Sequence, residues 1–194
     1  MKTDIILAGV GGQGILSLAA VLGEAAIAED LYLKQAEVHG MSQRGGDVQS
    51  HLRLSSNPIA SDLIPKGKAD LIISLEPMEA LRYLPWLSQK GIVVTNSEPF
   101  KNIDSYPAPQ EIDEAYGAIP NKVILNAEQI ARDITGTPRT ANMVMLGAAS
   151  AFVEMDFDKI EAAVARIFAR KGDEIVSMNL KALKAGREVS LARK

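Results

Sequence analysis

Apolar residues alternate along the chain between short unbroken runs and helical stripes. Residues 3–9, TDIILAG, are a hydrophobic run bounded by a charge and glycines, which predicts a buried strand. From Gly14 to Glu29 the apolar residues Ile15, Leu16, Leu18, Val21, Leu22, Ala25 and Ala26 wrap much of a helical circumference, so a helix covered on several sides is expected. Residues 31–38, LYLKQAEV, read as a second strand, His39 to Gly46 as a polar loop, and 47–54, DVQSHLRL, as a strand with Val48, Leu52 and Leu54 on one parity. Further strands are predicted at 70–75, 91–95 and 122–126, with a helix from Met78 to Ser88. The Pro-rich stretch 97–120 reads as a long connection. Three helices are expected at 140–154, 158–170 and 173–191, the second burying Ile160, Ala163, Val164, Ile167 and Phe168, the third Val176, Leu180, Leu183 and Leu191. This order predicts an α/β, Rossmann-like fold: a mainly parallel sheet flanked by helices, with C-terminal helices. One antiparallel pair is expected where 47–54 returns after a short loop. Residues 1–194 read as a single domain, its core at about 1–155 and a helical extension at about 156–194.

Composition narrows the chemistry. There are 21 Lys and Arg against 24 Asp and Glu, a net charge of −3, which argues against a general nucleic-acid or anionic-membrane binder. With no cysteine, the chain can form no disulfide, thiolate nucleophile or Cys-ligated cluster, and with only two histidines an all-histidine metal site is improbable. The uncharged stretch 5–23 is 19 residues long, near membrane-span length. Four glycines and Gln13 crowd its centre, which suits a strand-to-helix turn better, so a soluble, cytoplasmic protein is expected.

The turn Gly9-Val10-Gly11-Gly12-Gln13-Gly14 fits G-x-G-x-x-G between a predicted strand and helix. Glycines allow a tight turn and close approach to a ligand, and the helix start favours an anionic group such as a phosphate. A dinucleotide site would also want an acidic residue ending the second strand, where only Glu37 is available. Two other readings stay open: an independent NAD(P)- or FAD-binding oxidoreductase, and an interaction subunit whose glycines merely pack. There is no Gly-Lys-Ser/Thr ending for a nucleotide hydrolase and no G-x-S-x-G elbow.

The second loop, His39-Gly40-Met41-Ser42-Gln43-Arg44-Gly45-Gly46, is expected to converge on the same crevice, because loops leaving the C-terminal ends of neighbouring strands in a parallel sheet share one. Arg44 could clamp a phosphate or carboxylate, Gly45 and Gly46 would let the backbone bend, and His39, Ser42 and Gln43 offer hydrogen bonds. His51, on the polar side of the alternating strand 47–54, is expected to be structural or at the surface. Glu111, Asp113 and Glu114 read as solvated charges. Thr140 reads as a helix N-cap, with Arg139 and Asn142 placed as crevice residues.

The paired segments GVGGQGI and EVHGMSQRGGDVQSHLRL resemble the gamma-type domain of 2-oxoacid:ferredoxin or flavodoxin oxidoreductases. Within that family the chain is most similar to the beta subunit of the indolepyruvate type, with further matches in ADLIISLEPMEALRYL (69–84) and TANMVMLGA (140–148). The resemblance implies oxidative decarboxylation of an aryl 2-oxoacid with coenzyme A, giving an acyl-CoA and CO2 while ferredoxin is reduced. It implies thiamine diphosphate and iron–sulfur clusters, for which this chain lacks the Gly-Asp-Gly motif and the cysteines. A larger alpha subunit is therefore expected to carry both, and to be the link to ferredoxin. For this chain the resemblance implies no catalytic residue, no ligated metal and no covalent cofactor. It implies a coenzyme A contact through Gly9, Gly11, Gly12, Gln13, Gly14, His39, Ser42, Gln43, Arg44, Gly45 and Gly46.

Overall fold

A computed structural model describes residues 1–39, 45–101, 103 and 105–192. Six strands form one sheet: β1 (Lys2–Val10), β2 (Tyr32–His39), β3 (Asp47–Ser55), β4 (Ala69–Ser74), β5 (Leu87–Asn96) and β6 (Lys122–Leu125), in the order β2-β3-β1-β4-β5-β6. β1, β4, β5 and β6 pair in parallel, whereas β3 runs antiparallel to both β2 and β1. The sheet is thus mixed, with two antiparallel pairings where one was expected. The reversed strand lies between β2 and β1 because Asp47 pairs with Val10 and continues through Leu52 opposite Ile5.

Helices cover both faces: α1 (Ile15–Ile27), α2 (Pro77–Arg82), α3 (Pro109–Gly117), α4 (Ala127–Thr135), α5 (Ala141–Ser150), α6 (Phe157–Phe168) and α7 (Asp173–Leu191). Alternation along β1 divides its side chains between the faces. Ile5 and Leu7 join the core built with α1, α4, α5, α6 and α7, while Ile6 and Ala8 join the smaller core holding Tyr83 and Tyr116. The uncharged stretch 5–23 is split between β1 and α1, and among the described residues no helix is long and apolar enough to cross a membrane.

Three expectations need correction. The helix predicted to Ser88 ends at Arg82, passes through a 3-10 turn at Leu84–Trp86 and gives way to β5 at Leu87. Pro85 explains this, since it lacks an N–H and disfavours helical backbone in the residue before it. The connection 97–120 contains α3, opened by Pro109, with Glu111 accepting a hydrogen bond from the Ala108 N–H at 2.8 Å. Glu111, Asp113 and Glu114 are its exposed face. α4 was not expected. It carries Asn126 at the N-cap and Gly136 in left-handed conformation at its end.

α7 also departs from its predicted stripe. Its buried residues are Asn179, Ala182, Leu183, Gly186 and Ser190, and Leu191 is 49% exposed. The reason is a close crossing with α5. A Cβ at Gly186 would collide with the Val144 carbonyl, and one at Gly147 with the Leu183 carbonyl, so only glycine permits this approach.

Candidate functional site

The described end of the second loop, Gly45 and Gly46, meets the glycine turn, but it is brought there by β3, which lies between β2 and β1, and not by β2 being the parallel neighbour of β1. The Gly11 N–H donates to the Gly46 carbonyl at 2.8 Å and the Gly45 N–H to the Gly11 carbonyl at 3.5 Å, extending the β1–β3 ladder past Val10 and Asp47. His39 ends β2; Ser42, Gln43 and Arg44, with Gly40 and Met41, lie outside the described residues.

The residues of the glycine turn differ in what they do. A Cβ at Gly9 would press on Gln13, Ile15 and Leu75, and one at Gly14 would stand 2.7 Å from the Asn142 Nδ2, so these two glycines serve close packing. Gly14 also has φ +91° and Gly12 φ +103°, a region that disfavours side chains. Gly12 alone of the three has open space around its Cβ direction. Gln13 is a brace: its Oε1 accepts from the Val10 N–H at 2.8 Å and its Nε2 donates to the Leu75 carbonyl at 3.1 Å. It ties the end of β1 to the end of β4. No side chain caps α1 at Gly14.

The crevice is completed from the C-terminal half. Asn96, at the end of β5, accepts from the Ala127 N–H at 3.0 Å and donates to the Leu75 carbonyl at 3.4 Å. Asn126 accepts from the Gln129 N–H at 2.9 Å, so both asparagines fix the start of α4. Thr140 occupies the N-cap position of α5, but its hydroxyl bonds that of Thr135 at 3.0 Å instead of capping the helix. A cavity of about 270 Å³ results, bounded by Gly12, Gln13, Asn96, Glu128, Arg139 and Asn142. The starts of α4 and α5 reach it, as does the glycine turn that leads into α1, so positive helix-dipole ends and Arg139 face it beside the carboxylate of Glu128, which pairs with Arg132 at 3.8 Å. A second hollow of about 420 Å³ lies across Arg139 and Asn142, walled by Ser17, Phe168, Lys171 and Met178. The C-terminal helices therefore help to shape the region.

Arg139 and Asn142 line the crevice as the sequence suggested. Asn96 was missed; a polar residue closing a buried strand was the available signal. Glu37 is displaced from the position a ribose-binding acid needs, because β3 separates β2 from β1. At about 4.8 Å per strand it stands roughly 10 Å to the side. Its Oε2 accepts from the Gln35 Nε2 at 3.2 Å.

Phe100 and Tyr106, from the connection between β5 and α3, close on Glu76 at the start of α2. The carboxylate of the fully buried Glu76 accepts from the Glu79 N–H at 2.9 Å, the Phe100 N–H at 3.2 Å and the Tyr106 hydroxyl. Burial, then the bond to Glu76, pushes the Tyr106 phenol well above its ordinary range.

A mixed sheet of this order, flanked by helices on both faces and with a glycine turn between β1 and α1, defines an α/β domain of Rossmann-like type. The chain belongs to the pyruvate ferredoxin/flavodoxin oxidoreductase family, whose model matches residues 4–189. It is 36% identical over 198 residues to indolepyruvate oxidoreductase subunit IorB from Archaeoglobus fulgidus, covering 96% of this chain and 94% of that one. The gamma subunit of a keto/oxoacid ferredoxin oxidoreductase from Geobacter sulfurreducens superposes with a TM-score of 0.72 at 25% identity, covering 98% of this chain and 99% of that one. The fold also recurs in 2-oxoglutarate:ferredoxin oxidoreductase from Magnetococcus marinus, at a TM-score of 0.78 and 21% identity, over 98% of this chain and 31% of that one.

Proposed function

We propose that residues 1–194 act as one gamma-type domain, the beta subunit of an indolepyruvate or related aryl 2-oxoacid:ferredoxin oxidoreductase, and that its glycine-turn crevice places the pyrophosphate of coenzyme A. The observation that carries the reading is the convergence of Gly12, Arg139 and the starts of α4 and α5 on one cavity, in a chain similar to IorB along nearly its whole length. Backbone N–H groups and an arginine fork suit a pyrophosphate. Gly11, Gly45 and Gly46 hold the turn in shape; Gly9, Gln13 and Gly14 pack and brace it. Arg44, Ser42, Gln43 and His39 are proposed as further contacts from the second loop.

The redox cofactors do not fit this chain. It has no cysteine to hold a cluster, and among the described residues no group of three or more His, Asp or Glu could hold a metal. Asp47, in the sequence Gly46-Asp47-Val48, has its carboxylate engaged by the Tyr83 hydroxyl at 2.7 Å and is not presented to a cofactor. A larger alpha subunit would carry thiamine diphosphate and the clusters and pass electrons to ferredoxin. The complex would work in the cytoplasm without nucleic-acid or membrane partners. The displaced Glu37 weighs against an independent dinucleotide enzyme.

The test is kinetic. In the complex assembled with a cysteine-rich large subunit, Arg139→Ala should raise the apparent KM for coenzyme A by about tenfold or more, the worth of one hydrogen bond to a charged group, with kcat retained. An unchanged KM would contradict the placement.

A further inference from the structure

The hollow of about 420 Å³ adjoins the crevice, and the two spaces share Arg139 and Asn142. Asn142 is held in place, since its Oδ1 accepts from the Met143 N–H at 2.9 Å. Ile175 and Met178, one turn apart on α7, give the hollow an apolar wall, which Phe168 continues from the end of α6. Arg139 and Lys171 give it a cationic rim.

The corner between α6 and α7 sets Lys171 there. A 3-10 turn, Ala169–Lys171, ends α6, and Gly172 follows at φ +94°, a conformation that side chains disfavour, so the chain turns sharply into α7. The Lys171 ammonium stands 5.2 Å from the centre of the Phe168 ring. Neither cation is neutralised. Among the described residues no carboxylate lines the hollow, and neither Arg139 nor Lys171 enters an ion pair. Two uncompensated cations beside an apolar wall suit a ligand with a flat apolar body and a doubly charged phosphate.

We propose that this hollow takes the adenosine end of coenzyme A, its base against Ile175 and Met178 and its ribose 3′-phosphate on Lys171. The proposal rests on the pyrophosphate placement given above and extends it. In coenzyme A the pyrophosphate is joined to the ribose 5′ carbon and the 3′-phosphate stands on the same ring. A pyrophosphate in the crevice therefore puts the nucleoside into an adjoining space. Arg139, common to both spaces, stands between the two phosphate sites. The pantetheine arm is the poorer occupant. It carries no charge to meet Lys171, and its thiol has to leave this chain for the thiamine diphosphate of the large subunit. The α6–α7 corner thus selects coenzyme A over forms that lack the 3′-phosphate.

The experiment compares coenzyme A with 3′-dephospho-coenzyme A in the enzyme assembled with its large subunit. In the natural complex the apparent KM for the dephospho form should exceed that for coenzyme A by about tenfold or more, the worth of one hydrogen bond to a charged group. Lys171→Gln should raise the constant for coenzyme A toward that of the dephospho form and bring the ratio near unity. Lys171→Arg, which keeps the charge, should keep the ratio. A Lys171 that only supported the fold would move both constants together. A natural ratio near unity overturns the proposal, as does a ratio that Lys171→Gln leaves unaltered. Arg139→Ala separates this proposal from the crevice reading. If it raises both constants while Lys171→Gln changes neither, the pyrophosphate placement stands and the hollow's assignment is overturned. If the ratio follows Lys171 while Arg139→Ala changes nothing, the nucleotide stays in the hollow and the crevice reading is contradicted.

Discussion

The α5–α7 crossing gives a sharp stability test. In Gly147→Ala the new Cβ would stand 2.8 Å from the Leu183 carbonyl carbon and 3.0 Å from the Arg187 nitrogen, with the Leu183 oxygen nearer than either. Carbon atoms prefer about 3.5–4.0 Å, so the helices must part by roughly 1 Å. The obstacle is backbone and cannot rotate away. Separation by that amount forfeits about a quarter to a half of the dispersion at the affected contacts. Overpacking of a dense core costs about 1–3 kcal/mol, and this site belongs at the upper end. Alanine returns about 1 kcal/mol through helix propensity. The net is a loss of about 2 kcal/mol, or about 4–8 °C in Tm for a chain of this size. Urea unfolding followed by circular dichroism should show a lower midpoint at unchanged slope. Gly117→Ala is the internal control: nothing lies within 4 Å of its Cβ position, so the same change should be neutral or stabilising. Equal or greater stability in Gly147→Ala would refute the packing argument.

Other outcomes follow from buried polar groups. Arg53 donates to Asp4 at 2.8 and 3.1 Å and to the Ser61 and Leu63 carbonyls, so Arg53→Ala leaves the buried Asp4 carboxylate with Lys2, at 2.9 Å, as its remaining cation and should cost about 1–3 kcal/mol in urea unfolding. Tyr106→Phe removes one donor from the buried Glu76 and should cost about 1–3 kcal/mol, with faster exchange of the Phe100 N–H; unchanged exchange would contradict a holding role for the Tyr106 hydroxyl. His51 is buried, accepts from the Ile64 N–H at 3.0 Å and stacks edge-on to Trp86, and burial followed by Arg53 lowers its imidazole below 6.5, against Asp62. The folded chain thus prefers neutral His51. This contribution to stability is present above pH 6.5 and is lost as pH falls below it, and an NMR titration should place the His51 midpoint under 6.5.

Much of the fold was legible because buried strands and amphipathic helices leave strong periodic signals. β1, α1 and the limits of α7 fall where the pattern placed them. Strand direction was harder, since alternation in 47–54 says which face is wet and nothing about which neighbour it joins. α3 hid because its buried stripe reduces to Ile112 and Tyr116 among charges, although Pro109 and Glu111 marked its start. α4 hid between short turns, although Asn126 and Gly136 punctuate it. In the predicted stripe of α7, Leu183 is buried and Val176 and Leu180 pack against the core, whereas Leu191 is exposed; the deepest positions, Ala182 and Gly186, were not read because a close crossing buries small residues. At the site, the glycine turn and its meeting with Gly45 and Gly46 were readable. The brace by Gln13 and the closing role of Asn96 depend on strand neighbours that only the sheet order supplies.

The central claim is that this chain completes a crevice for coenzyme A in a larger oxidoreductase. The direct measurement is coenzyme A-dependent reduction of benzyl viologen by an aryl pyruvate, with each chain alone, with both, and with Arg139→Ala in the complex. The expected result is no activity from this chain alone, activity on assembly, and a raised apparent KM for coenzyme A with kcat retained in the variant. Activity of the properly assembled complex that is indifferent to Arg139 would contradict it.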